Sequence, residues 1–277
     1  MRFVFKDVMM KHDEFFRKNP VFTGEDLAKH LTLQGKSDGR TQEALLAYHQ
    51  KAGRIVRIRR GLYAVIPKGA SKDLFLVDPF LVASKLSPDS VLTHHTALEF
   101  HGKAYSLFSH IIYSASRPLG SISFQSHVFR GTKFPHALES QGKAHTGVLI
   151  AEHAGINLRV SSLERALVDT LDRPDLSGSW EEIWRSLESV EFFNLDKVIE
   201  YTLLLKNATT GAKVGFFLEQ HRAQLMVEDR HLKMLHDIRP RQAHYLDRSR
   251  RKRGRLVTKW NLVVPVEVLE RTWGEVV

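Results

Sequence analysis

Apolar side chains recur at spacings of three and four through Val8, Met9, His12, Phe15 and Phe16, and Asn19-Pro20 closes the run, which predicts a helix over residues 1–19. A second run opens at Thr23-Gly24-Glu25-Asp26, where a hydroxyl suited to orphan backbone N–H groups precedes two carboxylates at the positive end of a helix carrying Leu27, Ala28 and Leu31. Gln34-Gly35-Lys36-Ser37-Asp38-Gly39 interrupts the rhythm with turn-forming residues. A further helix is expected over residues 40–52, with Ala44, Leu45, Tyr48 and Ala52 inward and Arg40, Thr41, Gln42, His49 and Gln50 outward, stopped by Gly53. Residues 54–59 then alternate basic and apolar side chains through most of their length, the period of a strand with one buried face. Arg60-Gly61 makes a turn, residues 62–66 return, and Pro67 ends the pairing. Helix, helix, turn, helix and basic hairpin is the order of a winged helix-turn-helix.

Lys68-Gly69-Ala70-Ser71-Lys72 reads as a polar linker and divides the chain into an N-terminal domain, 1–70, and a larger one, 71–277. Asp78-Pro79 starts a helix that runs to residue 86, and residues 93–100 form another, ended by His101-Gly102. The stretch 110–160 reads as strands at residues 111–114, 122–125, 127–130 and 147–150, separated by Gly and Pro. Helices follow at 162–171, 179–190, 196–206, 210–220 and 228–238, with one late strand in 255–265. The fold class is therefore α+β: a winged helix-turn-helix followed by a larger mixed α/β domain rich in helices.

Charge sharpens this picture. The chain of 277 residues carries a net +10 with 43% hydrophobic content, enough for a sizeable core and a polyanionic partner. Residues 1–70 hold 14 Lys/Arg against 7 Asp/Glu, residues 239–259 hold 9 against Asp247 alone, and the remainder is acidic. With no cysteine, disulfides and thiolate metal sites are excluded, which suits a reducing cytoplasm. No apolar run approaches the ~18 residues of a membrane span.

Arg40, Thr41 and Gln42 stand at the start of the expected recognition helix, where Arg reads guanine and Gln reads adenine through paired hydrogen bonds. Lys36, Ser37 and the hairpin residues Arg57, Arg59 and Arg60 are placed for phosphates, which supply affinity and salt dependence. Arg248, Arg250, Arg251, Lys252, Arg253 and Arg255 form a second basic run, either a solvated loop or a further nucleic-acid or partner contact. Catalytic motifs are sparse. His94, His95, Glu99 and His101 are metal-capable, but His-Glu-x-x-His is absent, and Asp169, Asp172 and Asp175 read more simply as a helix end and a turn than as a phosphoryl-transfer site. Neither a Gly-Lys-Ser/Thr phosphate loop nor Gly-x-Ser-x-Gly occurs, so the expectation is a protein that is not an enzyme and carries no cofactor or metal.

Arg60-Gly61-Leu62-Tyr63, the segment His94-His95-Thr96-Ala97-Leu98-Glu99-Phe100-His101-Gly102 and Ser161-Ser162-Leu163-Glu164-Arg165-Ala166-Leu167-Val168-Asp169 together resemble the AbiEi antitoxins of bacterial type IV toxin–antitoxin systems. That resemblance implies a cytoplasmic transcriptional autorepressor that binds repeats in its own promoter, as a monomer or weak dimer cooperating on double-stranded DNA. It also implies a C-terminal domain that counters a nucleotidyltransferase toxin without a tight complex. The basic run 248–255 departs from the shared motifs. The other reading left by the residues is a winged helix joined to a ligand-sensing or nuclease-like domain.

Overall fold

The structure, a computed structural model, describes residues 12–35, 39–71, 74–247 and 254–273. Residues 12–18 form α1, the described part of the first expected helix, and Asn19 donates its side-chain amide to the Phe15 carbonyl at 2.9 Å to close it. A short strand, β1 (Val21–Thr23), leads into α2 (Gly24–Leu33), α3 (Gly39–Lys51), β2 (Ile55–Arg59) and β3 (Leu62–Val65). Nothing in the sequence pattern announces β1, because three residues are too few to show a period of two.

The three strands pair antiparallel in the order β1-β3-β2, with Phe22 opposite Tyr63, Val21 opposite Ala64 and Arg57 opposite Tyr63. An irregularity between Arg57 and Arg59 re-aims the strand so that Arg59 faces Leu62. One face of this sheet carries Phe22, Ile55 and Tyr63 into a small core with Phe15, Phe16, Leu27, Leu31 and Leu46. The opposite face carries Val21, Ile58, Leu62 and Ala64 into the main core of the molecule. Residues 67–71 lie in no helix or strand, and the hydrophobic core runs past them without a break.

The α3 phase differs from the expected one. Leu46 and His49 are its buried residues, Leu45 and Tyr48 are half-buried, and Ala44 is exposed. With few strong hydrophobes on the helix, the phenyl rings of α1 decide which side turns inward, and a neutral imidazole packs against them as another aromatic ring: His49 meets Phe16 edge-on at 4.8 Å between centroids.

Beyond the linker, α4 (Pro79–Ser84) and α5 (His94–Phe100) flank a six-stranded sheet ordered β6-β7-β5-β4-β9-β8. Its strands are β4 (Val91–Leu92), β5 (His110–Ala115), β6 (Ile122–Phe124), β7 (His127–Lys133), β8 (Val148–His153) and β9 (Ile156–Ser161), with a one-turn helix α6 (His136–Glu139) between β7 and β8. Helices α7 (Leu163–Asp172), α8 (Trp180–Glu188), α9 (Leu195–Leu204), α10 (Ala208–Gln220) and α11 (Asp229–Asp237) follow. Side chains of Ser162, Ser179, Asn194 and Asn207 accept N–H groups in the first turns of α7 to α10, which is why these polar residues stand ahead of each apolar run.

The single late strand expected over 255–265 is two, β11 (Gly254–Val257) and β12 (Leu262–Pro265), paired antiparallel around a left-handed Asn261. A two-residue strand, β10 (His244–Tyr245), adds to β12 in parallel, and α12 (Val266–Glu270) ends the described chain. The reversal over residues 258–261 is short enough to merge two strands into one apolar stretch when only the pattern is read.

The Glu164-Arg165-Ala166-Leu167-Val168-Asp169 motif is structural. Arg165 is 1% exposed; its Nε donates to Asp169 Oδ2 at 3.2 Å and its Nη1 donates to the carbonyls of Ala144 and Thr146, each at 2.8 Å. Tyr201 on α9 donates its hydroxyl to the other oxygen of Asp169 at 2.7 Å. Burial and the neighbouring Asp169 carboxylate push the Tyr201 phenol well above its ordinary range. One guanidinium thus joins α7, α9 and the segment that follows α6. Asp169→Ala strands that guanidinium in the core and is expected to cost about 3–5 kcal/mol, whereas Tyr201→Phe, which removes one hydrogen bond to a charged acceptor, costs about 1.5–3 kcal/mol. Urea unfolding midpoints of the two variants check the order.

Candidate nucleic-acid interface

Geometry around the start of α2 organises the N-terminal unit. Thr23 Oγ1 accepts the Asp26 amide at 3.1 Å while Asp26 Oδ2 accepts the Thr23 amide at 2.9 Å, a reciprocal cap. Asp26 Oδ2 also meets Lys85 Nζ, beyond the linker, at 3.1 Å. Burial opposes ionisation of Asp26, but the Thr23 amide and the Lys85 ammonium outweigh it and hold the carboxyl below its ordinary value. Next to this cap, the Gly24 amide donates to the Gly61 carbonyl in the β2–β3 turn at 2.8 Å. Gly61 sits at φ +78°, a left-handed conformation that glycine adopts without steric cost.

The first turn of α3 closes on the same point. Gln42, expected on the outward face as an adenine reader, is half-buried, and its Nε2 donates to the Gly24 carbonyl at 2.7 Å. This side chain faces α2, because the Gly24 carbonyl is the acceptor within reach. Arg40 and Thr41, on the same turn, are exposed. Through Gln42 and Gly24 the beginning of α3 is therefore linked by a single residue to the turn that bears Arg60.

The three hairpin arginines diverge. Arg57 is exposed on the sheet face that it shares with Tyr63, the α3 side. Arg59 is half-buried on the opposite side, and Arg60 is exposed at the turn. Arg59 and Arg60 line a groove of about 680 Å³ between the hairpin and the second part of the chain, together with Lys29, Lys85 and Arg159. The groove's two acids are neutralised, Glu25 by Lys29 at 2.8 Å and Asp26 by Lys85. No side chain of Arg57, Arg59 or Arg60 makes a hydrogen bond or ion pair with another described residue. Lys29, Lys85 and Arg159 carried no signal in the sequence, since only the folded chain brings residues so far apart to one rim.

The remaining sequence candidates divide as follows. Lys36, Ser37, Arg248, Arg250, Arg251, Lys252 and Arg253 lie outside the described residues. Arg255 is exposed on β11, with Nη1 3.2 Å from Glu270 Oε1. Of His94, His95, Glu99 and His101, His95 and Glu99 meet, with His95 Nδ1 3.0 Å from Glu99 Oε1, while His94 and His101 turn to other partners. His94 is buried with its Nδ1 2.9 Å from Thr93 Oγ1, and His101 Nε2 donates to the Ser161 carbonyl at 2.8 Å, tying the His-rich segment to the motif that opens α7. His95 stacks on Phe108 and bonds Glu182 at 2.9 Å, while Glu99 accepts the Phe108 amide at 2.7 Å. Asp169 belongs to the Arg165 network, Asp172 accepts from Asn207 at 3.0 Å and from the Thr210 hydroxyl, and Asp175 forms a paired contact with Arg173 at 2.9 Å. Among the described residues no group of three or more His, Asp or Glu is arranged to hold a metal ion, and no helix is long and apolar enough to cross a membrane.

A helix pair followed by a basic hairpin, with the first turn of the second helix beside the hairpin turn, is consistent with a winged helix-turn-helix. Residues 11–66 match the family model described as transcriptional regulator, AbiEi antitoxin. The N-terminal segment of this chain is thus similar to that of the AbiEi antitoxin transcriptional regulators. Among solved structures, the crystal structure of the RV2827C protein from Mycobacterium tuberculosis is similar over 95% of this chain and 92% of that one, with a TM-score of 0.60 and 17% sequence identity, a likeness of fold. No curated protein matches the chain.

Three histidines sit together in the small core: His12 on α1, His30 on α2 and His49 on α3. His12 Nδ1 and His30 Nε2 are 3.3 Å apart, and the His12 and His49 ring centroids 6.4 Å. Burial pushes the His49 imidazole down to about 4 from 6.5, aided by the nearby charges of Arg54 and His12 and opposed by Asp13. Burial lowers His30 in the same direction, opposed by Glu14. A histidine whose folded value is depressed adds stability above pH 6.5 that is lost as pH falls towards 4, a loss on the order of 3 kcal/mol for His49. Urea unfolding between pH 7 and pH 4 is expected to show this decline, and His49→Phe to remove much of its slope.

Proposed function

We propose that this chain is a DNA-binding transcriptional autorepressor and antitoxin of the type IV kind, with α3 in the major groove and the β2–β3 hairpin on the sugar–phosphate backbone. The observation that carries this reading is the pairing of exposed Arg57 and Arg60, unneutralised within the described residues, with the exposed Arg40 and Thr41 of the adjoining helix turn. Leaving cationic side chains without protein partners fits a surface whose counter-charges arrive with the ligand. Arg40 and Thr41 are assigned to base edges, and Arg57, Arg59 and Arg60 to phosphates. The match over residues 11–66 supports both halves of the assignment, regulator and antitoxin. In this reading the chain binds repeats in its own promoter as a monomer or weak dimer that cooperates on DNA. The larger domain counters a nucleotidyltransferase toxin without a tight complex, and the protein works in the cytoplasm without enzymatic activity.

One feature favours the ligand-sensing alternative. A cavity of about 670 Å³, lined by Asp172, Arg173, Trp180, Lys213, Tyr245 and Asp247 among others, opens between the end of α7 and the start of α10. Its volume lies in the range of small-molecule sites.

Footprinting on the chain's own upstream region tests the main reading, with protected repeats expected and an unprotected region contradicting it. Gel-shift titrations separate the roles. Arg40→Ala should lose about 1–3 kcal/mol on the operator and little on random duplex. Arg60→Ala should weaken both alike and reduce the salt slope by about 1. Equal losses on both duplexes for Arg40→Ala remove its base-reading role.

A further inference from the structure

Gly24 presents the two peptide groups that flank its Cα to two elements at once. Its N–H holds the hairpin turn through the Gly61 carbonyl at 2.8 Å, and its C=O holds the first turn of α3 through Gln42 Nε2 at 2.7 Å. The approach is close: a Cβ at position 24 would lie 3.3 Å from that Nε2 and 4.0 Å from the Gly61 carbonyl oxygen. Position 24 is itself fixed, because the neighbouring Thr23–Asp26 cap is anchored by Lys85 across the linker.

The geometry points to Gln42 as a positioning residue of the DNA-binding surface, which fastens the recognition helix to the wing through the Gly24 backbone so that both meet the duplex at one spacing. This rests on the DNA-binding reading above and goes beyond it, since Gln42 acts through Arg40, Thr41 and Arg60 and reads no base itself. The side chain requirements are specific. Asparagine is one methylene too short to reach the carbonyl, glutamate has the length but sets an acceptor against an acceptor, and methionine has the shape without the donor. Binding surfaces assembled from two elements need their relative placement held to within about 0.5 Å. One hydrogen bond at the joint therefore controls contacts made by its neighbours on both sides.

The test compares wild type, Gln42→Met and Gln42→Glu, each with and without Arg60→Ala, on the upstream duplex and on a randomised duplex library, with a thermal melt of every variant. Each Gln42 substitution is expected to weaken the upstream duplex by about tenfold, the loss of one hydrogen bond's worth of placement. The sequences selected from the library are expected to stay those of wild type. In the Gln42→Met background Arg60→Ala should cost clearly less than in wild type, because a wing that is no longer held in place contributes less. A changed preference at a single base pair, with Arg60→Ala costing its full factor, makes Gln42 a base reader and overturns the proposal. Wild-type binding by Gln42→Met overturns it as well.

If the Gln42 variants fail to fold, hydrogen exchange of the Gln42 side-chain amide in the wild-type chain decides. Slow exchange in the free protein that is unchanged by adding the upstream duplex supports the joint, and fast exchange, or protection that arises only with the duplex, overturns it. Absence of any wild-type binding to either duplex defeats the DNA-binding reading itself and the proposal with it. That outcome is distinguishable because Arg60→Ala then has nothing to weaken.

Discussion

A three-stranded sheet buried on both faces is the constraint on which the arrangement of this protein depends. Phe22, Ile55 and Tyr63 close the small core under α1 to α3, while Val21, Ile58, Leu62 and Ala64 on the reverse side belong to the main core beyond the linker. Each buried Val, Ile or Leu contributes about 1.5–3 kcal/mol, so the reverse face alone fastens the N-terminal unit with several kcal/mol. The Asp26–Lys85 ion pair, half-buried, sets the orientation more than it adds stability. A winged unit held in this way differs from a bead on a flexible tether: its hairpin emerges from a packed wall, and the turn at Arg60-Gly61 is the part left at the surface.

From that burial follows the distribution of charge. Alternation sends Ile55 and Arg57 to one side, and the irregularity between Arg57 and Arg59 sends Arg59 to the other, which splits the hairpin arginines between the α3 side and the groove shared with Lys85 and Arg159. An isolated winged helix with the same sequence would show one basic edge, whereas this molecule shows a basic edge and a basic groove that meet at Arg60. The second half keeps its side of the groove in place through the Arg165–Asp169–Tyr201 network, whose guanidinium also ties down the carbonyls at 144 and 146 just before β8. The residues behind the family resemblance thus play different parts. Arg60-Gly61-Leu62-Tyr63 shapes the exposed turn, and the motif around Arg165 holds the support.

The sequence conveyed local features faithfully and joints poorly. Thr23 with Glu25 and Asp26 announced the start of α2, the Arg–apolar alternation announced β2, and Ser162 and Ser179 announced α7 and α8, because capping and period-two burial are decided by residues a few positions apart. His49 and Gln42 were misplaced because the phase of a weakly amphipathic helix is decided by what packs against it, here the phenyl rings of α1 and the Gly24 carbonyl. The burial of Arg165 was hidden for a related reason: its three acceptors, Asp169 and two backbone carbonyls, assemble only in the fold. The groove residues Lys29, Lys85 and Arg159 belong to three segments with no sequence relation to one another.

Backbone 15N relaxation and residual dipolar couplings on the whole free protein test most directly whether the winged unit is built into the body. A shared sheet predicts that amides in the elements α1 to β3 and in the elements α4 to α12 report one overall tumbling time and one alignment tensor. A distinctly shorter tumbling time for α1 to β3, with a tensor of their own, would mean that the hairpin's reverse face is not seated in the main core, and the account of a fixed DNA-binding head would be wrong.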